Sequence, residues 1–361
     1  MKTILLQQQK NNRAVAIWLL IGVAMMVVQI LLGGITRLTG SGLSITEWNV
    51  VTGTLPPLND SQWQAEFFKY QHTPQFRLLN SEFSLADFKF IFFWEWFHRL
   101  WARLIGVVFA VGFLYFFFTK KLKKEMVKPF LILFLLGALQ GMVGWIMVAS
   151  GLTGDAVYVR PTRLALHFLF ALFLLSYTFW FALQLLTEKQ YFNGNNFLRR
   201  LTLIIIIILG VQLLYGALMA GHKAAVVAST WPDINGDIIP ANLYKKGEGV
   251  FNFIENKILI HFVHRGVAYI LLLLVAIWTI KAARNKNITL LQKTKWIPIS
   301  LIVLQMTLGI ASLLTSTQIV ANQWGAFEWM AQLHQLIGML FLLSMVWMLF
   351  IIKKKNLQYN I

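Results

Sequence analysis

Eight apolar runs, each long enough to cross a bilayer, leave this chain few folds to choose from. Inside a bilayer every backbone N–H and C=O must be paired within the chain, and a run of about 20 apolar residues meets that demand as a helix. Such runs lie at Ala14–Ile35, Ile91–Phe118, Pro129–Ala149, Leu164–Leu186, Leu201–Gly221, Ile258–Ile280, Trp296–Ser316 and Glu328–Ile352. With 361 residues, 58% of them hydrophobic and 13% charged, the fold class is an all-α polytopic membrane protein with eight transmembrane helices. The first run does not read as a cleavable signal peptide. Its apolar core is too long, and it passes into polar G-G-I-T-R-L-T-G without a small-residue cleavage site.

A repeat underlies the hydropathy. The odd-numbered helices each carry Q-x-x-x-G, at Gln29/Gly33, Gln140/Gly144, Gln212/Gly216 and Gln305/Gly309, and each even-numbered helix carries one histidine: His98, His167, His264 or His334. From His98 to His264 is 166 residues and from His167 to His334 is 167, so helices one to four are duplicated as five to eight. A unit with an even number of spans enters the membrane the same way twice, which predicts two four-helix bundles related by a parallel pseudo-twofold. The halves are residues 1–190, with a long outer loop at 36–90, and residues 191–361. A glycine four residues after a glutamine shares its helix face, where it admits a close neighbour or a flat ligand. Ordinary small-residue packing produces the same pattern.

The histidines are the candidate site. The stretch Phe93–Gly106, F-W-E-W-F-H-R-L-W-A-R-L-I-G, places Glu95, His98 and Arg99 within an apolar run, where ionisable groups are costly and mark function. His98 and His264 lie about seven residues in from the outer helix ends and His334 about six, roughly 10 Å deep at 1.5 Å per residue; His167 is shallower. A lone intramembrane histidine commonly just bridges helices. Four of them in a duplicated frame read as ligands, and the metal that suits neutral imidazoles in an apolar bundle is haem iron, held by His98 with His167 and by His264 with His334. His72 and His222 fall in loops. His261, one turn before His264, reads as a lining or supporting group. Arginines recur beside the histidines: Arg99, Arg103, Arg160, Arg163 and Arg265. Guanidinium suits a haem propionate, and snorkelling to the membrane surface is the competing reading. Glu95 breaks the symmetry, because the matching position in the second half is His261. One half therefore reads as reactive and the other as passive.

The net charge of +18 does not point to nucleic acid. With a cytoplasmic N-terminus, the inner segments hold 19 of the 32 Lys and Arg residues but only Glu125 and Glu188 of the acids. K-K-L-K-K at 120–124, R-R at 199–200, the cluster from Lys281 to Lys295 and K-K-K at 353–355 all fall inside, which is the positive-inside pattern. There are no cysteines, so neither disulfides nor thiolate metal sites are available. The first outer loop holds Asn59-Asp60-Ser61 ahead of Trp63, Phe67 and Tyr70, which predicts a capped amphipathic helix covering a site or lying on the membrane.

Taken together, G-G-I-T-R-L-T-G-S-G-L-S-I-T-E-W, T-G-T-L-P-P-L, E-W-F-H-R, S-T-W-P, F-V-H-R-G-V-A-Y and L-H-Q resemble the haem A synthase family, in its cysteine-free branch with a long first loop. The resemblance spans nearly the whole chain. It implies a bacterial inner-membrane oxidoreductase, with both termini cytoplasmic, that converts the C8 methyl of haem O to the formyl of haem A by successive hydroxylations. By the family pattern the N-terminal half holds the substrate haem and the C-terminal half a haem b, and Glu95 with His98 are the catalytic candidates. Haem O synthase, the farnesyltransferase that makes the substrate, and assembly factors of the terminal oxidase are the implied partners beside the lipid bilayer. The redox partner is open, and a homo-oligomer is compatible with the reading. The chain departs from its relatives at His261, where they carry a glutamine. Two other classes remain: a bis-histidine di-haem electron-transfer protein or quinol oxidoreductase, which gives no reason for Glu95, and a transporter, which would need a midplane site and broken helices.

Overall fold

Every apolar run folds as a continuous helix, and local chemistry sets its ends. The computed structural model describes residues 2–48, 52–186, 195–285, 288–320 and 323–352. The K-K-K cluster at 353–355, Glu188, Lys286 and the boundary between the halves at 190/191 lie outside the described residues. In chain order the α-helices are α1 (Lys2–Leu38), α2 (Asp60–Gln71), α3 (Pro74–Leu79), α4 (Leu85–Phe118), α5 (Lys124–Ala149), α6 (Pro161–Leu186), α7 (Asn196–Gly221), α8 (Asn252–Glu255), α9 (Lys257–Arg284), α10 (Thr289–Thr294), α11 (Ile297–Thr315) and α12 (Ala326–Ile351). Eight of these are long and apolar enough to cross a membrane: α1, α4, α5, α6, α7, α9, α11 and α12. Among the described residues the one strand-like pairing is a bridge between Ile234 and Asp237.

Two helices start well before their predicted spans, α1 twelve residues before Ala14 and α4 six residues before Ile91, on the far side of loop one. Ser84 and Asp87 form a capping box at the start of α4, closing two orphan backbone donors and letting the helix begin early. The added turn does not belong to the bundle core. Phe88 and Phe92 pack with Phe67 and Tyr70 of α2 in an aromatic cluster of their own. The predicted cap on α2 is present, with Asn59 accepting from the Gln62 N–H at 2.9 Å. Thr73 caps α3 in the same way, with Pro74 at the first helical position. Tyr70 is fully buried, hydrogen-bonded to Gln75 and Asn80, and burial pushes its hydroxyl up to about 12. Loop one is thus a small packed unit of its own.

Helix packing repeats between the halves. In the first, α1 packs on α4 and α6, and α5 on α6; in the second, α7 packs on α9 and α12, and α11 on α12. The seam between the halves is itself duplicated, with α6 on α7 and α12 on α1. Two glutamines of α12 fasten that seam, Gln332 donating to the Leu31 carbonyl and Gln335 to the Ile30 carbonyl, each across the gap left by Gly34. Large apolar side chains such as Phe118, Leu135 and Ile207 point outward, as lipid-facing residues should. One correspondence is weaker: α9 packs closely against α11, whereas α4 and α5 meet through Phe130 set against Phe109 and Phe113.

Candidate functional site

The glycine of each Q-x-x-x-G sits against a histidine of the next long helix. A Cβ added at Gly144 would lie 2.8 Å from the His167 ring, and one at Gly309 would lie 2.8 Å from the His334 ring. At Gly33 and Gly216 the corresponding distances to His98 and His264 are 3.3 Å. Only glycine leaves room for the rings where they stand, so the motif does more than bring helices together. The glutamine one turn away reaches the same ring: Gln140 Nε2 lies 3.2 Å from His167 Nδ1, Gln212 Nε2 3.4 Å from His264 Nε2, and Gln305 Nε2 3.2 Å from His334 Nε2. The Nδ1 of His334 also meets the Gln305 carbonyl at 2.9 Å.

All four histidines line a single cavity of about 1950 Å³ that runs through both halves. That is about twice the upper range of ordinary small-molecule sites and suits more than one large flat ligand. The His264 and His334 rings face each other with centroids 6.4 Å apart. Two imidazoles bound to opposite sides of one metal, each nitrogen about 2 Å from it, would have centroids separated by about 6 Å. Among the described residues no group of three or more His, Asp and Glu side chains converges to hold a bare ion. Two imidazoles therefore suit a metal that brings its other ligands with it, as haem iron does. The side-chain oxygens of Gln29, Gln140, Gln212 and Gln305 are buried without hydrogen-bond partners, as is His264 Nδ1. At His334 the Gln305 carbonyl supplies the acceptor that a metal-bound histidine needs for its second nitrogen.

Glu95 is 3% exposed and both its oxygens are engaged. Arg99 donates to Oε1 at 2.6 Å, while the Ser44 hydroxyl and the Ile45 N–H donate to Oε2 at 2.7 and 2.9 Å. Arg99 also donates to the carbonyls of Glu47 and Ile45 and stacks on Trp48. The pair thus holds residues 44–48 of loop one over the mouth of the first half, and Glu95, Arg99, Trp48 and His98 all line the cavity. The second half builds the same clasp from different residues. His261 Nε2 meets the Ala224 carbonyl at 2.7 Å, and Arg265 donates to the carbonyls of Ala228 and Asp233 at 2.9 and 2.6 Å. The Asp233 carboxyl, bonded by the Thr230 hydroxyl and the Gly236 N–H, is held below the usual carboxylate range.

The structure therefore brings His98, His167, His264, His334 and Glu95 to one cavity, and places His261 as a loop anchor. Arg99 and Arg265, read from sequence as propionate partners, line the cavity and each donate two hydrogen bonds to loop carbonyls. Arg163 likewise donates to the Ile146 carbonyl, while His72 and His222 cap α2 and α7. Sequence reasoning missed the glutamines as histidine partners, although their fixed spacing to the glycines carried the signal.

Comparisons with known proteins identify the family. The curated protein named "Heme A synthase" from Flavobacterium psychrophilum is 39% identical over 340 residues, covering 92% of this chain and 96% of that protein. Those of Cereibacter sphaeroides and Paracoccus denitrificans are 38% and 39% identical, covering 90% and 87% of this chain and 87% and 84% of theirs. The COX15-CtaA sequence profile, described as "Cytochrome oxidase assembly protein", matches residues 16–346. That match runs from within α1 to within α12 and includes every histidine of the cavity, and the chain belongs to the COX15-CtaA family of cytochrome oxidase assembly proteins.

Proposed function

We propose that this protein is a haem A synthase that oxidises the C8 methyl of haem O to a formyl group, with a haem b resident in the C-terminal half. The observation that carries the reading is the pairing of four glycine-seated histidines in one cavity with Glu95, a buried carboxylate one turn from His98; the second half's buried carboxylate, Glu328, lies six residues before His334 and caps α12 instead. His264 and His334 would hold haem b; His98 and His167 would hold the substrate haem in residues 1–190. A bound haem b supplies one-electron chemistry beside the substrate site. The clasped loops narrow the mouths of both sites against water. Glu95 is placed to stabilise positive charge developing at the methyl carbon or to accept its proton, with Arg99 holding the carboxylate in place. An electron-transfer protein would need the four histidines but not this buried ion pair. The test is direct: membranes containing the protein, supplied with haem O, should accumulate haem A by pigment chromatography. Haem O returned unchanged, with haem b intact, would favour electron transfer.

The positive-inside pattern places both termini and the Lys-rich connections in the cytoplasm of a bacterial inner membrane, with loop one outside. Reporter fusions after Gln75 and after Lys124 should therefore read opposite compartments; the same compartment for both would overturn the topology.

A further inference from the structure

The two halves share a histidine site but not the space beneath it. In the second half the cavity ends close to the ligands, reaching Leu271 on α9, seven residues past His264, and Ile302 on α11, three residues before Gln305. In the first half it continues. It reaches Leu114 on α4, 16 residues past His98, and Phe130 on α5, ten residues before Gln140. At 1.5 Å per residue the extension runs about 24 Å from the histidine on α4, against about 10 Å on α9. The other pair of helices agrees. On α1 the lining runs back from Gln29 to Trp18, but on α7 only from Gln212 to Leu209.

The duplicated register names the residues responsible. Seven before the glutamine stand Gly22 in the first half and Ile205 in the second; eight after the histidine stand Gly106 and Leu272; three before the glutamine stand Gly137 and Ile302. The second-half residues fill the bundle: Ile205 and Ile302 are buried core and Leu272 packs against it. Trp278, fully buried and bonded to Thr202, stands where the first half has Gly112, whose own space is filled by the Trp18 indole. The first-half glycines at 22, 106 and 137 instead border open space, for a Cβ at any of them meets no atom within 4 Å. The walls of the extension are apolar, with Phe109, Phe113, Leu133 and Leu174 among them. At its inner end Phe130 of α5 closes on Phe109 and Phe113 of α4, with ring centroids 6.4 and 5.8 Å apart.

We infer that this extension is a binding channel for a linear isoprenoid chain, the farnesyl-derived tail that haem O carries and haem b lacks. The inference rests on the reading of haem O as substrate and assigns the tailed haem to the N-terminal half on grounds independent of the histidines. The channel exceeds its counterpart in the other half by roughly 14 Å, the reach of an extended chain of three isoprene units. A dry channel of this length with no polar ligand is a poor place for water and a good one for hydrocarbon.

The glycines supply the test, because a Cβ at 106 or 137 meets no atom within 4 Å and both positions line the channel. Purified haem b-loaded protein and its Gly106→Leu and Gly137→Leu variants are titrated with haem O and with protohaem, which has no tail. The variants should keep the haem b spectrum, lose at least about tenfold in affinity for haem O, and change by less than about threefold toward protohaem. Equal affinity of wild type and both variants for haem O, or equal losses toward both haems, would overturn the channel. If wild type binds haem O but does not oxidise it, the functional reading fails while the channel stands. If wild type oxidises haem O and the plugged variants bind it equally well, the channel alone fails.

Discussion

Replacing His264 or His334 by alanine is expected to remove the low-spin haem b spectrum from the purified protein. Low-spin iron in this site needs both imidazoles, and the structure offers no substitute. His261 is committed to the Ala224 carbonyl, and Gln305 and Gln212 carry only amide groups. Loss of a ligand's outer partner alone typically costs about 10–100-fold in metal affinity, so loss of the ligand itself should cost more. Folding should survive. The alanine side chain sits against Gly216 or Gly309; His264→Ala also removes Nδ1, which lacks a partner, whereas His334→Ala gives up polar contacts with Gln305 only. The measurements are haem content per chain and the visible spectrum of each variant. A full low-spin spectrum in the doubly substituted protein would refute the ligand assignment. In contrast, His261→Ala should retain the haem and loosen the loop at 224–237.

Much of this architecture is legible in the chain because bilayer physics leaves few choices. The eight spans, the duplication and the four histidines all follow from run length, spacing and the cost of polar groups in lipid. What periodicity does not reveal is the partner of a side chain on a distant loop. Arg99 and Arg265 occupy equivalent positions beside ligands and look like anion sites, yet both reach loop carbonyls. Those carbonyls belong to residues 45, 47, 228 and 233, whose backbone is placed by tertiary structure alone. The α4 boundary was obscure for a related reason. Its first turns are amphipathic against α2 rather than apolar against lipid, so hydropathy undercounts them. The glycines at 22, 106 and 137 differ. They are visible once the halves are aligned on their histidines, but a glycine in a membrane helix ordinarily signals close packing. Only the structure shows that these three face open space.

Glu95→Gln is expected to leave haem b in place and to stop haem A formation, so that haem O or its hydroxylated product accumulates. The substitution is nearly isosteric, and a glutamine Oε1 can still accept from the Ser44 hydroxyl and the Ile45 N–H. What it cannot do is accept from Arg99 at the other position, where an amide nitrogen would face the guanidinium 2.6 Å away in the present geometry. Breaking a buried ion pair on one side can cost several kcal/mol when the remaining charge is stranded. Arg99 is not stranded, because it keeps the Glu47 and Ile45 carbonyls and the face of Trp48. The stability loss should therefore stay nearer that of one charged hydrogen bond, about 1.5–3 kcal/mol. The chemical loss should be larger. A group that stabilises developing charge or takes a proton contributes on the order of 10²–10⁴ in rate, and the amide does neither. Arg99→Lys separates catalysis from loop anchoring. It keeps a cation near Glu95 but loses the fork that holds Glu47 and Ile45, so it should disturb the loop while retaining part of the activity. Pigment chromatography on cells expressing each variant decides the matter: normal haem A in Glu95→Gln would leave Glu95 as a loop anchor only, and equal loss in both variants would assign the effect to the loop.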